Sequence, residues 1–157
     1  MKFDPVRFKK TKVKAHALYA AKRAVRCPYF GTDVALTSDG FHHLRFSARR
    51  ERSKRAQLLK FSLLPLALDI IKKSGTIQEY RNILAPVGKP SVHDGFTPMK
   101  ETEYWGLVAI TGNRQRVKVR VILRRIGDGK IAFWSVMPDK KFINGAQRLA
   151  DEGIEDA

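Results

Sequence analysis

The segment Arg116–Met137 constrains this chain most, because its alternation suits a β-hairpin and little else. Val117, Val119, Val121 and Leu123 recur at every second position, interleaved with Arg116, Lys118, Arg120 and, one step on, Arg124. Side chains on a strand point alternately to its two faces, so one side of this segment is apolar and the other cationic. Gly127, Asp128 and Gly129 carry the turn signal, and Ala132–Met137 returns as the partner strand. With two central turn residues, either Asp128-Gly129 or Gly127-Asp128, Ser135 falls on the face of Lys118, Arg120 and Arg124. Phe133 shares that face, while Ala132, Trp134 and Val136 join the apolar row. A three-residue loop reverses this assignment.

The rest of the chain shares the hairpin's charge. Lys and Arg number 31 against 15 Asp and Glu, a formal net charge of +16 on 157 residues. Residues 1–60 alone hold 16 basic and 4 acidic side chains, whereas residues 151–157 form an acidic tail. Such a surface attracts phosphate backbones or anionic membranes. No apolar run approaches the ~20 residues of a membrane span, and the basic N-terminus lacks a signal-peptide core. The single cysteine, Cys27, can form no intramolecular disulfide and argues against a Cys-based zinc site.

Before the hairpin the pattern is mainly helical. A short helix is expected over 11–26, after a flexible basic lead-in, and is stopped by Pro28. Residues 32–37 read as a weak strand, and Ser38-Asp39-Gly40 as a turn. Ser47 suits a helix N-cap, with a helix over 48–61 whose first turns carry Arg49, Arg50, Arg52, Lys54 and Arg55. That is the wrong end for cations by the helix dipole, which suggests an anion bound there. Pro65 begins a second helix or kinks the first, and Leu63–Lys73 is the most apolar stretch. Strands follow over 76–83 and 103–111, separated by a Pro- and Gly-containing loop over 85–100, and a short helix or strand extension is expected over 140–150. Helices first and an antiparallel meander later make the class α+β, with N-terminal helices packed on one face of a C-terminal antiparallel β-sheet. The expected division is a basic extension over 1–30, a domain over 31–150 and the tail.

His42 and His43 stand just before the most cationic helix. Metal-independent RNA cleavage needs a base for the ribose 2′-hydroxyl, an acid for the leaving 5′-oxygen and cations for the charge that develops on phosphorus. Imidazole suits either proton role because it titrates near neutrality, and arginine suits the last. The hairpin face adds Lys118, Arg120, Arg124 and the Ser135 hydroxyl for phosphate oxygens, with Phe133 to stack on a base. Each has a plainer reading: the histidines as solvated turn residues, the arginines as a solvated helical face, Ser135 as an ordinary strand residue. Glu79 is the alternative base, or simply a partner for Arg81 or a hairpin cation. His16 and His93 lie in the lead-in and the loop. No carboxylates are spaced as a two-metal site, so no metal or other cofactor is expected.

The order of these features, with His42 and His43 before a basic helix, a second apolar helix, then strands ending in Lys118–Arg125 and Phe133–Val136, resembles the toxin-type nucleases of the barnase–EndoU–colicin–RelE-like fold, in particular their phage and contact-dependent-inhibition members. The likeness covers roughly residues 32–142 as an order of elements. It implies a metal-independent endoribonuclease toxin that cleaves RNA, tRNA among the candidates, by 2′-hydroxyl attack and leaves a 2′,3′-cyclic phosphate. It also implies a cytoplasmic site of action and an acidic immunity or antitoxin partner. By position, His42 or His43, Arg50, Arg120 and Ser135 correspond to the catalytic set. Arg45, Arg49, Lys118, Arg124, Phe133, Lys140 and Lys141 are the expected RNA contacts. The alternative is a non-catalytic RNA- or DNA-binding module.

Overall fold

Helix α3 (Lys54–Lys73) organises the molecule. Phe61, Leu64, Ala67, Leu68 and Ile71 recur at helical spacing, and all are buried. Each large side chain among them contributes roughly 1.5–3 kcal/mol on leaving water. Ser53 caps the helix by accepting from the Ala56 amide at 3.2 Å. The exposed Pro65 removes one helical hydrogen bond without ending the helix, so 54–73 is one element. The cations placed by sequence in the first helical turns therefore divide: Lys54 and Arg55 are helical, while Arg50 and Arg52 precede the helix in a segment pinned by a Phe46–Glu51 bridge.

The computed structural model describes residues 2–48, 50–111 and 116–139. Arg49, Lys140, Lys141 and the element expected over 140–150 lie outside the described residues. In chain order the other elements are α1 (Pro5–Lys22), β1 (Ala24–Cys27), β2 (Thr32–Ala35), α2 (Ser38–Arg45), β3 (Glu79–Pro86), β4 (Met99–Thr111), β5 (Val117–Ile126) and β6 (Ala132–Pro138). The strands form one six-stranded sheet in the order β1-β2-β6-β5-β4-β3. Every pairing is antiparallel except β2 with β6, which run parallel through Ala35 and Ala132. The class is α+β, as expected.

Several boundaries differ from the sequence reading. Asp4 accepts from the amides of Val6 and Arg7 at 3.0 and 3.3 Å, and Pro5 supplies the fixed φ of a first helical residue, so α1 starts well before residue 11. The segment read as an extension contributes Ala15, Tyr19, Val25 and Cys27 to the main core. Ser38-Asp39-Gly40 is the first turn of a helix, since the Thr37 hydroxyl accepts from the Gly40 amide at 3.2 Å. Strands β3 and β4 run further into the 85–100 segment than expected, to Pro86 and from Met99.

The hairpin is present, and one irregularity changes its faces. Near the turn Leu123 pairs with Phe133 and Arg124 with Ala132, which leaves an odd number of residues, 125–131, between the last partners. Further along, Ile122 pairs with Ser135 and Val121 with Val136, so Trp134 is the extra residue of a β-bulge. Val119, Val121, Leu123 and Val136 face the main core as expected, and Phe133 joins them. Trp134 goes instead to the opposite face with Tyr104, Ile122, Ile83 and Met137. Gly40 brings α2 close to this bulge: a Cβ there would lie 2.4 Å from the Phe133 carbonyl oxygen and 2.7 Å from the Tyr19 hydroxyl. Only a glycine lets the helix that carries both histidines sit this near β6.

Candidate functional site

Residues 39, 42, 43 and 46 fall on one side of α2 and its C-cap by helical spacing. Asp39, His42, His43 and Phe46 accordingly form one wall of a cleft of about 640 Å³. The sheet face away from α1 and α3 forms the other wall, through Ile83, Tyr104, Arg124 and Trp134.

An aromatic and cationic stack occupies the cleft. The His43 ring lies on Trp134 with centroids 3.9 Å apart and planes inclined by 18°. The Arg124 guanidinium sits 3.5 Å from the Trp134 centroid. An indole face holds a guanidinium by its quadrupole and does not neutralise it. His43 is buried, and its Nε2 is 3.1 Å from an Arg52 terminal nitrogen. A guanidinium can only donate, so in this contact Nε2 is the acceptor. Arg52 also donates from Nε to the His43 carbonyl at 2.9 Å, locking the end of α2. His42, by contrast, is exposed, lines the cleft and is stacked on Phe46 at 4.5 Å.

Beneath the bulge lies a buried polar pair that the sequence reading missed. Lys60, on the packed face of α3, donates from Nζ to the Ser135 hydroxyl at 3.0 Å and to the Val136 carbonyl at 3.1 Å. Burial, and secondarily the charge of Arg52, lowers its pKa to about 7. Its signal was present: Gln57 and Lys60 interrupt an otherwise apolar helical stripe with Phe61 and Leu64.

The expected site residues separate into groups. His42, His43 and Arg124 meet in the cleft, joined by Asp39, Tyr104 and Trp134, which sequence had not assigned to it. Phe133 is fully buried in the core, so its expected base-stacking role is corrected: the bulge gives that outward position to Trp134. Ser135 has no exposed surface and is engaged by Lys60, so it does not present its hydroxyl to a phosphate. Arg120 is 5% exposed and lies 3.0 Å from Glu79 Oε1 and 3.1 Å from Asp139 Oδ1, an ion-paired girder of the sheet and not an open phosphate contact. Glu79 is thereby the partner of a hairpin cation. Lys118 is half-exposed and pairs with Asp139 at 3.1 Å. Arg50 is exposed beside an adjoining groove shared with Ser47, Glu51 and Arg52. Arg45 projects from α2 away from the cleft and lies 5.1 Å over Phe46.

Among the described residues, no three His, Cys, Asp or Glu side chains are grouped to hold a metal ion, and no helix is long and apolar enough to cross a membrane. Compared with family models, curated protein sequences and solved structures, the chain matches none of them.

Proposed function

We propose that this protein is an endoribonuclease whose cleft, between α2 and the outer sheet face, binds single-stranded RNA and cleaves it by 2′-hydroxyl attack without a metal ion. The observation that carries the reading is the pairing, in one cleft, of an open imidazole (His42) with a guanidinium (Arg124) held on an indole face. These are the two chemistries the reaction requires: proton transfer near neutral pH and stabilisation of charge on phosphorus.

His42 takes the proton from the ribose 2′-hydroxyl as the 2′-oxygen bonds to phosphorus. The bond to the 5′-oxygen breaks, and the resulting imidazolium returns a proton to that oxygen. The products are a 2′,3′-cyclic phosphate and a 5′-hydroxyl. Arg124 donates to the non-bridging oxygens and is fixed by Trp134, so little reorganisation accompanies the charge shift. His43 is a positioning residue: its ring completes the stack on Trp134, and Arg52 fixes its orientation. The order of elements that resembles toxin nucleases points to the same reaction, and the +16 charge suits both a polyanionic substrate and an acidic inhibitor protein.

Purified, folded protein is incubated with RNA in EDTA. Fragments ending in a 2′,3′-cyclic phosphate are expected, with His42→Ala lowering the rate by about 10²–10⁴-fold and Arg124→Ala also impairing it. Intact RNA at high protein concentration refutes the catalytic reading. Salt-sensitive binding that Arg124→Ala weakens, without cleavage, establishes the non-catalytic binding module instead.

A further inference from the structure

Helix α2 divides two grooves. His42 and His43 face the cleft, whereas Phe41 and Arg45, on another side of the helix, face a groove of about 570 Å³ between α2 and α1. Lys9, Lys12, His16 and Arg45 line this second groove together with the apolar Val13 and Phe41. Phe41 is held there by the His16 ring at 5.1 Å and by Tyr19 at 5.3 Å. Helix α1 contains Arg7, Lys9, Lys10, Lys12, Lys14 and Lys22 and no acidic residue.

Three features distinguish this groove from a merely solvated basic face. Cations from two separate helices converge on it, with Lys54 from a third close enough to repel Lys12. The buried Nε of Arg45 has no hydrogen-bond partner. Lys12 is pushed toward its neutral form by partial burial and then by Arg45 and Lys54, with Glu51 opposing them. A fold that holds like charges together in a concave, partly desolvated site is relieved by an anion.

We propose that the α1–α2 groove binds backbone phosphates of the same RNA strand that occupies the cleft, making the protein selective for a polynucleotide over a short oligonucleotide. This rests on the cleft being an RNA site. The strand crosses α2, about 10 Å wide, which is more than one nucleotide step spans. A trimer can fill the cleft alone, whereas a longer strand engages both grooves. Lys9, Lys12 and Arg45 neutralise phosphates on the far side. RNA is favoured over an acidic polypeptide because the groove adjoins the cleft across one helix, so a strand held in the cleft delivers its own phosphates to it.

The test uses full-length protein and fluorescent 2′-O-methyl RNA, which lacks the nucleophilic hydroxyl, as a trimer and a dodecamer, with binding read by anisotropy across a salt series. Wild type is expected to bind the dodecamer several-fold tighter than the trimer. Lys12→Ala with Arg45→Ala abolishes that length advantage and leaves trimer affinity unchanged. Losing two phosphate contacts makes the logarithmic salt dependence shallower by about 1.4. Lys9→Glu with Lys12→Glu, on exposed and half-exposed positions, gives the same result without touching the partly buried Arg45. Lys72→Ala with Lys73→Ala, at the far end of α3, changes nothing. An unchanged dodecamer-to-trimer ratio in both groove variants overturns the proposal, as does displacement by poly-glutamate at concentrations where the dodecamer does not compete. Failure of the cleft reading looks different: the trimer is neither bound nor, as unmodified RNA, cleaved.

Discussion

Replacing Lys60 with Met should reveal a stability term that depends on pH with a defined sign. In the folded protein, burial lowers the Lys60 pKa from 10.5 to about 7. Below pH 7 the side chain is charged in both states, and the folded state bears the whole desolvation cost. Between about 7 and 10.5 the folded amine is neutral while the unfolded chain still holds its proton, so stability rises with pH. Above 10.5 the penalty is gone. At 1.36 kcal/mol per pKa unit the full term is about 5 kcal/mol, and the part recovered between pH 7.5 and 9.5 is roughly 2–3 kcal/mol. Lys60→Met removes this term but withdraws a donor from the Ser135 hydroxyl and the Val136 carbonyl. Each acceptor left without that donor costs about 1–3 kcal/mol. At pH 6 the two effects nearly cancel, so the midpoint there says little and the slope is the readout. Urea unfolding from pH 6 to 9.5 should show the wild-type stability climbing relative to the variant by roughly 2–3 kcal/mol over the upper two pH units. Parallel curves for the two proteins refute the argument, because they require Lys60 to titrate alike in both states.

Three further outcomes follow from the geometry. Gly40→Ala drives a Cβ against the Phe133 carbonyl and the Tyr19 hydroxyl; the expected loss is about 1–3 kcal/mol by thermal or urea unfolding, together with weakened RNA binding as α2 lifts from β6. Arg120→Ala leaves Glu79 and Asp139 without their shared cation and should destabilise by about 3–5 kcal/mol, whereas Arg124→Ala should cost little stability and act on RNA binding. Tyr19→Phe removes the hydroxyl that donates to the Thr37 carbonyl at the α2 N-terminus, for which unfolding should register about 0.5–1.5 kcal/mol.

How much of this was legible depended on whether one residue could change the answer. The hairpin was secure, because seven alternating positions from Val117 to Leu123 agree on a strand. Its faces were not, because a single bulged residue exchanges those between it and the turn, Phe133 and Trp134 among them, and nothing local marks Trp134 as extra. Phe133 and Trp134 are both large aromatics, so composition could not say which one the core would take. Helix α2 was hidden for a related reason. Ser38-Asp39-Gly40 has turn chemistry, and the glycine that reads as a breaker is required by the close approach to Phe133 and Tyr19, a tertiary contact. With the helix unseen, the i, i+3, i+4 relation of Asp39, His42 and His43 was unseen as well. The start of α1, by contrast, carries a local signal that the expectation of a helix from residue 11 passed over: Asp4 followed by Pro5 is a cap followed by a first-turn proline.

Arg120 and Arg124 show why counting cations on a face does not locate a site. They lie four residues apart on the same strand and point to the same side of the sheet, so the sequence gives them equal standing. What separates them is the company each keeps. Arg120 sits between Glu79 and Asp139, and carboxylates at 3.0–3.1 Å cancel its charge while bracing β3, β5 and the end of β6. Arg124 lies on Trp134, and an aromatic face orients a guanidinium without cancelling it. The field in the cleft is therefore set less by where the arginines are than by where the acids are not. Among the described residues, Glu79 and Asp139 are spent on Arg120 and Lys118, and Glu103 on Arg125, whereas Asp39 is the one acidic residue that lines the cleft. Among the described residues, carboxylates set against the structural cations leave Arg124, on its indole face, as the cation of the cleft, which is where the proposed function needs a phosphate to enter.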